Sequence, residues 1–129
     1  MKKNKPENTC PAGYRSACPI ANVLDIVGDK WTLLVVRDLM LLGKRRYGEF
    51  QSSPEAIPTN ILAERLKRLE VAGIVKKEFY QDNPPRAEYF LTTKGADLGP
   101  ILQTIAEWGV RHIPGTEIPD QFKQAEIRN

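Results

Sequence analysis

The sequence predicts an α+β, mainly helical fold: a winged helix-turn-helix flanked by N- and C-terminal helices. Three observations carry the winged helix-turn-helix. Leu62, Leu66 and Leu69 recur at i, i+4 and i+7 within residues 57–73, one apolar stripe of a helix, while Arg65, Lys67 and Arg68 lie off that stripe. Upstream, Tyr47 and Phe50 at i, i+3 can pin a short helix ahead of the turn Ser52-Ser53-Pro54-Glu55-Ala56. Downstream, residues 75–80 and 88–92 read as two short strands around a stiff tip, Asp82-Asn83-Pro84-Pro85-Arg86. A helix that buries one face and offers guanidinium groups on another suits a DNA major groove.

The elements follow in order. Residues 1–17 read as a flexible basic arm. Pro19 suits a first helical position, which makes Cys18 an N-cap; Ile20, Val23, Leu24 and Val27 share one face, and Gly28 stops the helix. Asp29 is expected to cap a second helix over residues 30–42 that is apolar nearly all round, and therefore either central in the domain or shared with a second subunit. The basic helix closes at Gly73, a C′ glycine. A last long helix is expected over residues 93–113, where Leu98, Ile101, Leu102, Ile105 and Trp108 form a stripe wider than a small domain can cover. Residues 114–129 read as a polar tail. Trp31, Leu98, Leu102, Ile105 and Trp108 are the expected dimer-interface residues.

Charge points to the same segment. The 129-residue chain has a net charge of +3, but residues 44–86 hold nine Lys/Arg against six Asp/Glu, and residues 87–129 hold four against six. That bias suits a polyanionic partner, double-stranded DNA. No apolar run approaches the ~18–20 residues that span a bilayer. The basic start runs into polar residues rather than a signal-peptide core, so a cytoplasmic protein is expected. Two cysteines and a distant His112 make neither a disulfide framework nor a four-ligand zinc site, so no metal or cofactor is expected. Paired catalytic carboxylates, a nucleophile–base motif and a phosphate-cradling glycine loop are all missing from the sequence, which argues against an enzyme.

The order of motifs resembles a known family. Cys18-Pro19-Ile20 is followed by Gly28-Asp29-Lys30-Trp31-Thr32, Arg46-Tyr47-Gly48-Glu49-Phe50 and Leu62-Ala63-Glu64-Arg65-Leu66-Lys67-Arg68-Leu69-Glu70 with Gly73-Ile74-Val75. Pro84-Pro85-Arg86-Ala87-Glu88-Tyr89, Leu91-Thr92-Thr93-Lys94-Gly95 and Trp108-Gly109 complete the set. This is similar to the HxlR-type bacterial transcription regulators, relatives of the MarR group. The resemblance implies a homodimer whose terminal helices build the interface and whose recognition helices enter successive major grooves of an inverted-repeat operator. It also implies that the N-terminal cysteine belongs to a position some members use to sense oxidants or electrophiles. One departure is Pro58, where the family often has Ser; Thr59 would then take the cap.

Individual residues carry distinct expectations. Thr59 and Asn60, in the first turn of the recognition helix, would reach phosphates or base edges, or serve as ordinary cap residues. Arg65 and Arg68 share a face and match guanine or phosphate, with Lys67 beside them; the alternative is pairing with Glu64 on the same helix. Arg86 would dock a stiff wing, and Lys44, Arg45 and Arg46 would meet backbone phosphates or stay solvated. Cys18, facing the positive end of a helix and near Arg15, should have its thiol pKa lowered below the free value of about 8.5, unless it is simply packed. Cys10 could resolve an oxidised Cys18. His112 is expected to meet the C-terminus of the last helix. A winged helix used only for protein interaction remains the alternative to a DNA-binding regulator, and the effector is not legible.

Overall fold

The computed structural model describes residues 13–118 and 120; Cys10 and the rest of the arm before Gly13 lie outside the described residues. Helix α1 (Pro19–Val27) begins as the sequence indicates, with Cys18 extended at the N-cap and Pro19 in the first turn. It ends where the Gly28 amide donates to the Leu24 carbonyl at 2.8 Å. Its apolar face is turned outward: Val27 is buried, whereas Ile20, Val23 and Leu24 are exposed.

Helix α2 (Thr32–Leu41) starts two residues later than expected. Asp29 still caps it from outside, its Oδ1 accepting from the Trp31 amide at 2.8 Å and the Thr32 amide at 3.0 Å while Oδ2 accepts from the Thr32 hydroxyl. An aspartate three residues ahead of a helix satisfies the free amides at its start as an N-cap would. Of the two readings open for this apolar helix, the structure shows the first: Val35 and Val36 lie in the core, and Trp31, Leu33, Leu39, Met40 and Leu41 pack around it.

Helix α3 (Tyr47–Gln51) buries Phe50 completely. The Glu49 carboxylate reaches back to accept from the Arg45 and Arg46 amides at 2.8 and 3.0 Å, which holds it below the usual carboxylate range. Helix α4 (Thr59–Val71) buries the predicted stripe Leu62, Leu66 and Leu69 in full. Its cap residue is Pro58, with no side-chain cap bond, so Thr59 opens the helix rather than capping it. The far end closes as expected. Gly73 adopts φ +78°, its amide donates to the Glu70 carbonyl at 3.0 Å, and the Ile74 amide donates to the Leu69 carbonyl at 2.9 Å. This paired closure needs a left-handed residue at Gly73, which an L side chain disfavours.

The strands are longer than the sequence suggested. β1 (Val75–Asp82) pairs antiparallel with β2 (Pro85–Leu91), from Val75 opposite Leu91 to Asp82 opposite Pro85. The hairpin tip is Asn83-Pro84, joined by a cis peptide bond, so Arg86 stands on β2 rather than at the tip. The register shifts between Phe79 and Gln81, leaving Tyr80 as an extra residue in a bulge.

The single helix expected over residues 93–113 is two: α5 (Thr93–Ala96) and α6 (Gly99–His112). Pro100 falls in the first turn of α6, where its missing N–H costs nothing, so the chain restarts a helix there. The wide apolar stripe divides accordingly. Leu102 is buried in the protomer's own core with Leu98 and Ala106 packed beside it, while Ile101, Ile105 and Trp108 are exposed. Leu102 is thus a core residue and not part of an exposed interface, and Leu98 and Trp31 are half-buried against the same core. The His112 ring lies in the last turn of α6, 4.7 Å from the Trp108 ring. Among the described residues no helix is long and apolar enough to cross a membrane, and no group of acidic, histidine or cysteine side chains could hold a metal ion.

Candidate nucleic-acid interface

Burying Leu62, Leu66 and Leu69 forces the opposite edge of α4 outward. Asn60, Glu64, Lys67 and Val71 follow at i, i+4, i+7 and i+11, and all four are exposed. Thr59 is exposed at the start of that edge and takes a hydrogen bond from the Gln51 amide nitrogen of α3.

Arg65 does not belong to that edge. Its side chain is only 15% exposed, and its Nε donates to Asp29 Oδ1 at 3.0 Å. A second nitrogen donates to Glu64. Arg68 makes a looser contact to the same aspartate at 3.4 Å and an i,i+4 pair with Glu64 at 3.1 Å. The base-reading expectation for Arg65 therefore meets a structural counter-claim. The guanidinium is spent on an internal clasp, and the pairing with Glu64 that the sequence left open is present for both arginines. Burial alone would raise the Asp29 carboxyl. The Thr32 hydroxyl, the two capped amides and the Arg65 guanidinium outweigh burial and hold it well below the usual carboxylate range.

The cations ahead of α3 are also engaged. Lys44 Nζ donates to Ser53 Oγ at 2.8 Å and to Ser52 Oγ at 3.2 Å. Ser53 in turn donates to the buried Asp38 at 2.6 Å. Arg37 bridges Asp38 and Glu55 from the other side, with contacts of 2.8 Å to each. Arg46 pairs with Glu88 of β2 at 2.9 Å while its guanidinium lies 4.0 Å from the Tyr80 ring centroid. Arg45 stacks over Phe90 at 4.7 Å. Arg46 stays half-exposed and keeps donor groups free for an incoming oxyanion. Arg86 and Lys67 are exposed, and neither side chain has an ion-pair partner among the described residues.

Cys18 is exposed at the head of α1. Its amide donates to Ser16 Oγ at 2.9 Å, and Arg15 is committed to Asp25, with Nη2 at 2.9 Å from Oδ1. Thr59, Asn60, Lys67, Arg46 and Arg86 are thus exposed groups on α4, the segment before α3 and the hairpin. Arg65 is mostly buried between Asp29 and Glu64, and Lys44 is hydrogen-bonded to Ser52 and Ser53. Sequence reasoning missed Asp29 and Glu88 as the acids that hold these arginines. Their partners lie 36 and 42 residues away, a separation at which local spacing carries no signal.

Known proteins resemble this chain in sequence and fold. The family model of HxlR-like helix-turn-helix matches residues 26–117. The uncharacterised HTH-type transcriptional regulator YybR of Bacillus subtilis is 38% identical over 95 residues, which is 74% of this chain and 75% of YybR. Among solved structures, the redox regulator HypR in its reduced form superposes with a TM-score of 0.62 at 38% identity, covering 71% of this chain and 90% of HypR. The reduced form of the transcriptional regulator YodB from B. subtilis gives 0.61 at 27% identity, covering 78% and 98%. With a family match over most of the folded chain and the helix-turn-helix and hairpin in place, this protein is a transcriptional regulator of the HxlR-like helix-turn-helix family.

Proposed function

We propose that the chain is a homodimeric, sequence-specific DNA-binding repressor that acts by occupying an inverted-repeat operator. The observation that carries this reading is the exposed edge of α4, with Asn60 and Lys67 directed away from the core and Arg86 exposed on the adjoining hairpin. Asn suits adenine in the major groove, and lysine suits guanine or phosphate. Arg46 and Arg86 suit backbone phosphates, which set affinity but not sequence. Arg65 and Arg68 act by holding the helix to Asp29. Dimerisation is supported by the apolar residues left uncovered on α1 and α6, with Ile20, Leu24, Ile105 and Trp108 at half or more exposed.

Selection of bound DNA from a random pool tests this reading. Two half-sites with centres about one turn apart, roughly 34 Å, are expected, together with a dimer by sedimentation at micromolar protein. A folded monomer that enriches no sequence ends the proposal. Binding to a peptide partner with no salt-sensitive DNA affinity would favour the protein-interaction alternative. On a selected site, Arg86→Ala should weaken all sequences alike and lower the slope of log affinity against log salt by about 0.9. Lys67→Ala should instead change the preferred bases. Equal effects of the two on every sequence would refute the division of roles.

The redox reading concerns Cys18, exposed at the N-cap of the helix that carries Ile20 and Leu24. A charged adduct there would disturb packing across the uncovered apolar face. Mild oxidant is expected to change operator affinity in the wild type and not in Cys18→Ser. An equal response in both proteins removes the sensor.

A further inference from the structure

A groove of about 660 Å³ lies between the start of α3 and one face of the hairpin. Its floor is formed by Lys77, Phe79, Ala87 and Tyr89, two cross-strand pairs on one face of the sheet. Arg46 and Gly48 stand on the helix side, and Tyr80 and Arg86 toward the tip. Two small residues make the hollow: Ala87 sits opposite Phe79, and a side chain built on Gly48 would meet no atom within 4 Å.

The lining has a definite chemistry. Successive side chains of a regular strand point to opposite faces, yet Phe79 and Tyr80 both line this groove. The bulge at Tyr80 accounts for that, and it leaves two large rings exposed, by 58% and 43%. Exposed neighbouring rings in a groove of this size mark a binding surface rather than a core. Three cations line it. Arg46 pairs with Glu88, and Glu49, the acid in the lining, stays ionised while it accepts from two backbone amides. Lys77 and Arg86 have no ion-pair partner among the described residues, so the lining keeps a net positive charge, with Lys77 5.3 Å from the Phe79 ring. Rings for stacking, flanked by two cations without carboxylate partners among the described residues, complement a flat aromatic group that bears negative charge.

We propose that this groove binds a planar aromatic ring carrying an anionic group, and that its occupant competes with DNA for Arg46 and Arg86. The ring lies against Phe79 and Tyr80, and the anion meets Lys77 and Arg86. An aryl carboxylate and a mononucleotide share this chemistry. The competition, but not the binding, rests on the DNA-binding reading above.

Titration calorimetry of the full chain without DNA tests the site, using sodium 2-naphthoate, AMP, inorganic phosphate and the neutral 2-naphthalenemethanol. One or both of the first two should saturate at one per protomer with a Kd below about 1 mM, and the one that does identifies the source. Phosphate and the neutral alcohol should bind at least about tenfold more weakly, the equivalent of about 1.4 kcal/mol. Ala87→Leu fills the floor without removing charge, and Lys77→Met removes one exposed charge. Each should weaken binding at least about tenfold, again about 1.4 kcal/mol, with circular dichroism unchanged. The proposal is overturned if neither aromatic anion saturates, if phosphate binds equally well, or if both folded variants bind like wild type. Adding the bound probe at constant ionic strength should then lower affinity for the selected DNA. Unchanged DNA affinity with the groove occupied overturns the competition. A chain that binds no DNA at all sinks the operator reading and leaves the calorimetric test of the groove intact.

Discussion

Asp29→Ala is expected to cost about 3 kcal/mol of folding stability, because one carboxylate serves two elements. It caps α2 through the Trp31 and Thr32 amides and the Thr32 hydroxyl, and it pairs with Arg65 from α4. Removing a cap costs about 1 kcal/mol. Leaving a largely buried guanidinium without its main partner adds a comparable or larger penalty. Asp29→Asn separates the two, since an amide oxygen can still accept from the backbone but brings no charge to Arg65. The Asn variant should lose less stability than the Ala variant, yet lose operator affinity as fully, since α4 is released in both. Urea unfolding and DNA titration of the two proteins decide this. Equal stabilities of Ala variant and wild type would remove Asp29 from its place in the argument. The pH dependence has a definite sign. The Asp29 carboxyl is held below its usual range in the folded state, so its contribution is present in full above about pH 4, the ordinary aspartate range. It fades as pH falls through the lower folded value. The wild-type advantage over Asp29→Asn should therefore be constant near neutrality and shrink in acid.

Gly95→Ala should be the most damaging of the conservative changes. Gly95 is buried in α5, and a Cβ there would sit 2.2 Å from the Ile74 carbonyl oxygen and 2.9 Å from Leu91 Cδ2. The oxygen cannot step aside cheaply. It already accepts from the Thr92 amide at 3.0 Å and the Thr92 hydroxyl at 3.2 Å, and that hydroxyl also donates to the Gly73 carbonyl at 2.6 Å. The methyl must therefore pry the end of β2 away from the closure of α4. A cost of about 3 kcal/mol is expected, at the upper end for overpacking, which lowers Tm by more than about 10 °C in a domain of this size. Gly48→Ala is the control. A Cβ there meets nothing within 4 Å, and alanine is the better helix former, so stability should hold or rise by up to about 1 kcal/mol. If the two variants melt together, the close approach at Gly95 is not real.

These two sites also mark what the sequence could and could not disclose. Local signals were legible. The leucine period of α4, its glycine closure, Pro19 at the head of α1 and the aromatic, β-branched strands each follow from neighbours within a turn or a strand. Pro100 also signalled locally that the last helix must restart, and the continuous apolar stripe hid it. That stripe itself was read correctly as too wide, but its two halves face different ways: Leu98, Leu102 and Ala106 pack inward, and Ile101, Ile105 and Trp108 do not. Periodicity reports that a face is apolar without saying what covers it. The arginines were harder. Arg65, Arg46 and Lys44 look alike in sequence as DNA-facing cations; the structure engages Arg65 with Asp29 and Arg46 with Glu88, both far away in sequence, and Lys44 with Ser53, nine residues on. Charge complementarity between segments dozens of residues apart is set by tertiary packing, and spacing along the chain does not encode it.

The two polar attachments of α2 have a mechanical consequence. Near its start Asp29 holds α4, and toward its end Asp38 and Arg37 hold Ser53 and Glu55 in the turn between α3 and α4. A solid pinned to a beam at two separated points keeps a single freedom, rotation about the line that joins them. The wedge of Val35 and Val36 against Phe50, Leu62 and Leu66 removes that freedom too. The helix-turn-helix and α2 therefore form one packed unit, and in the dimer proposed above a tilt imposed where two such units meet would reach Lys67 as a lever delivers it.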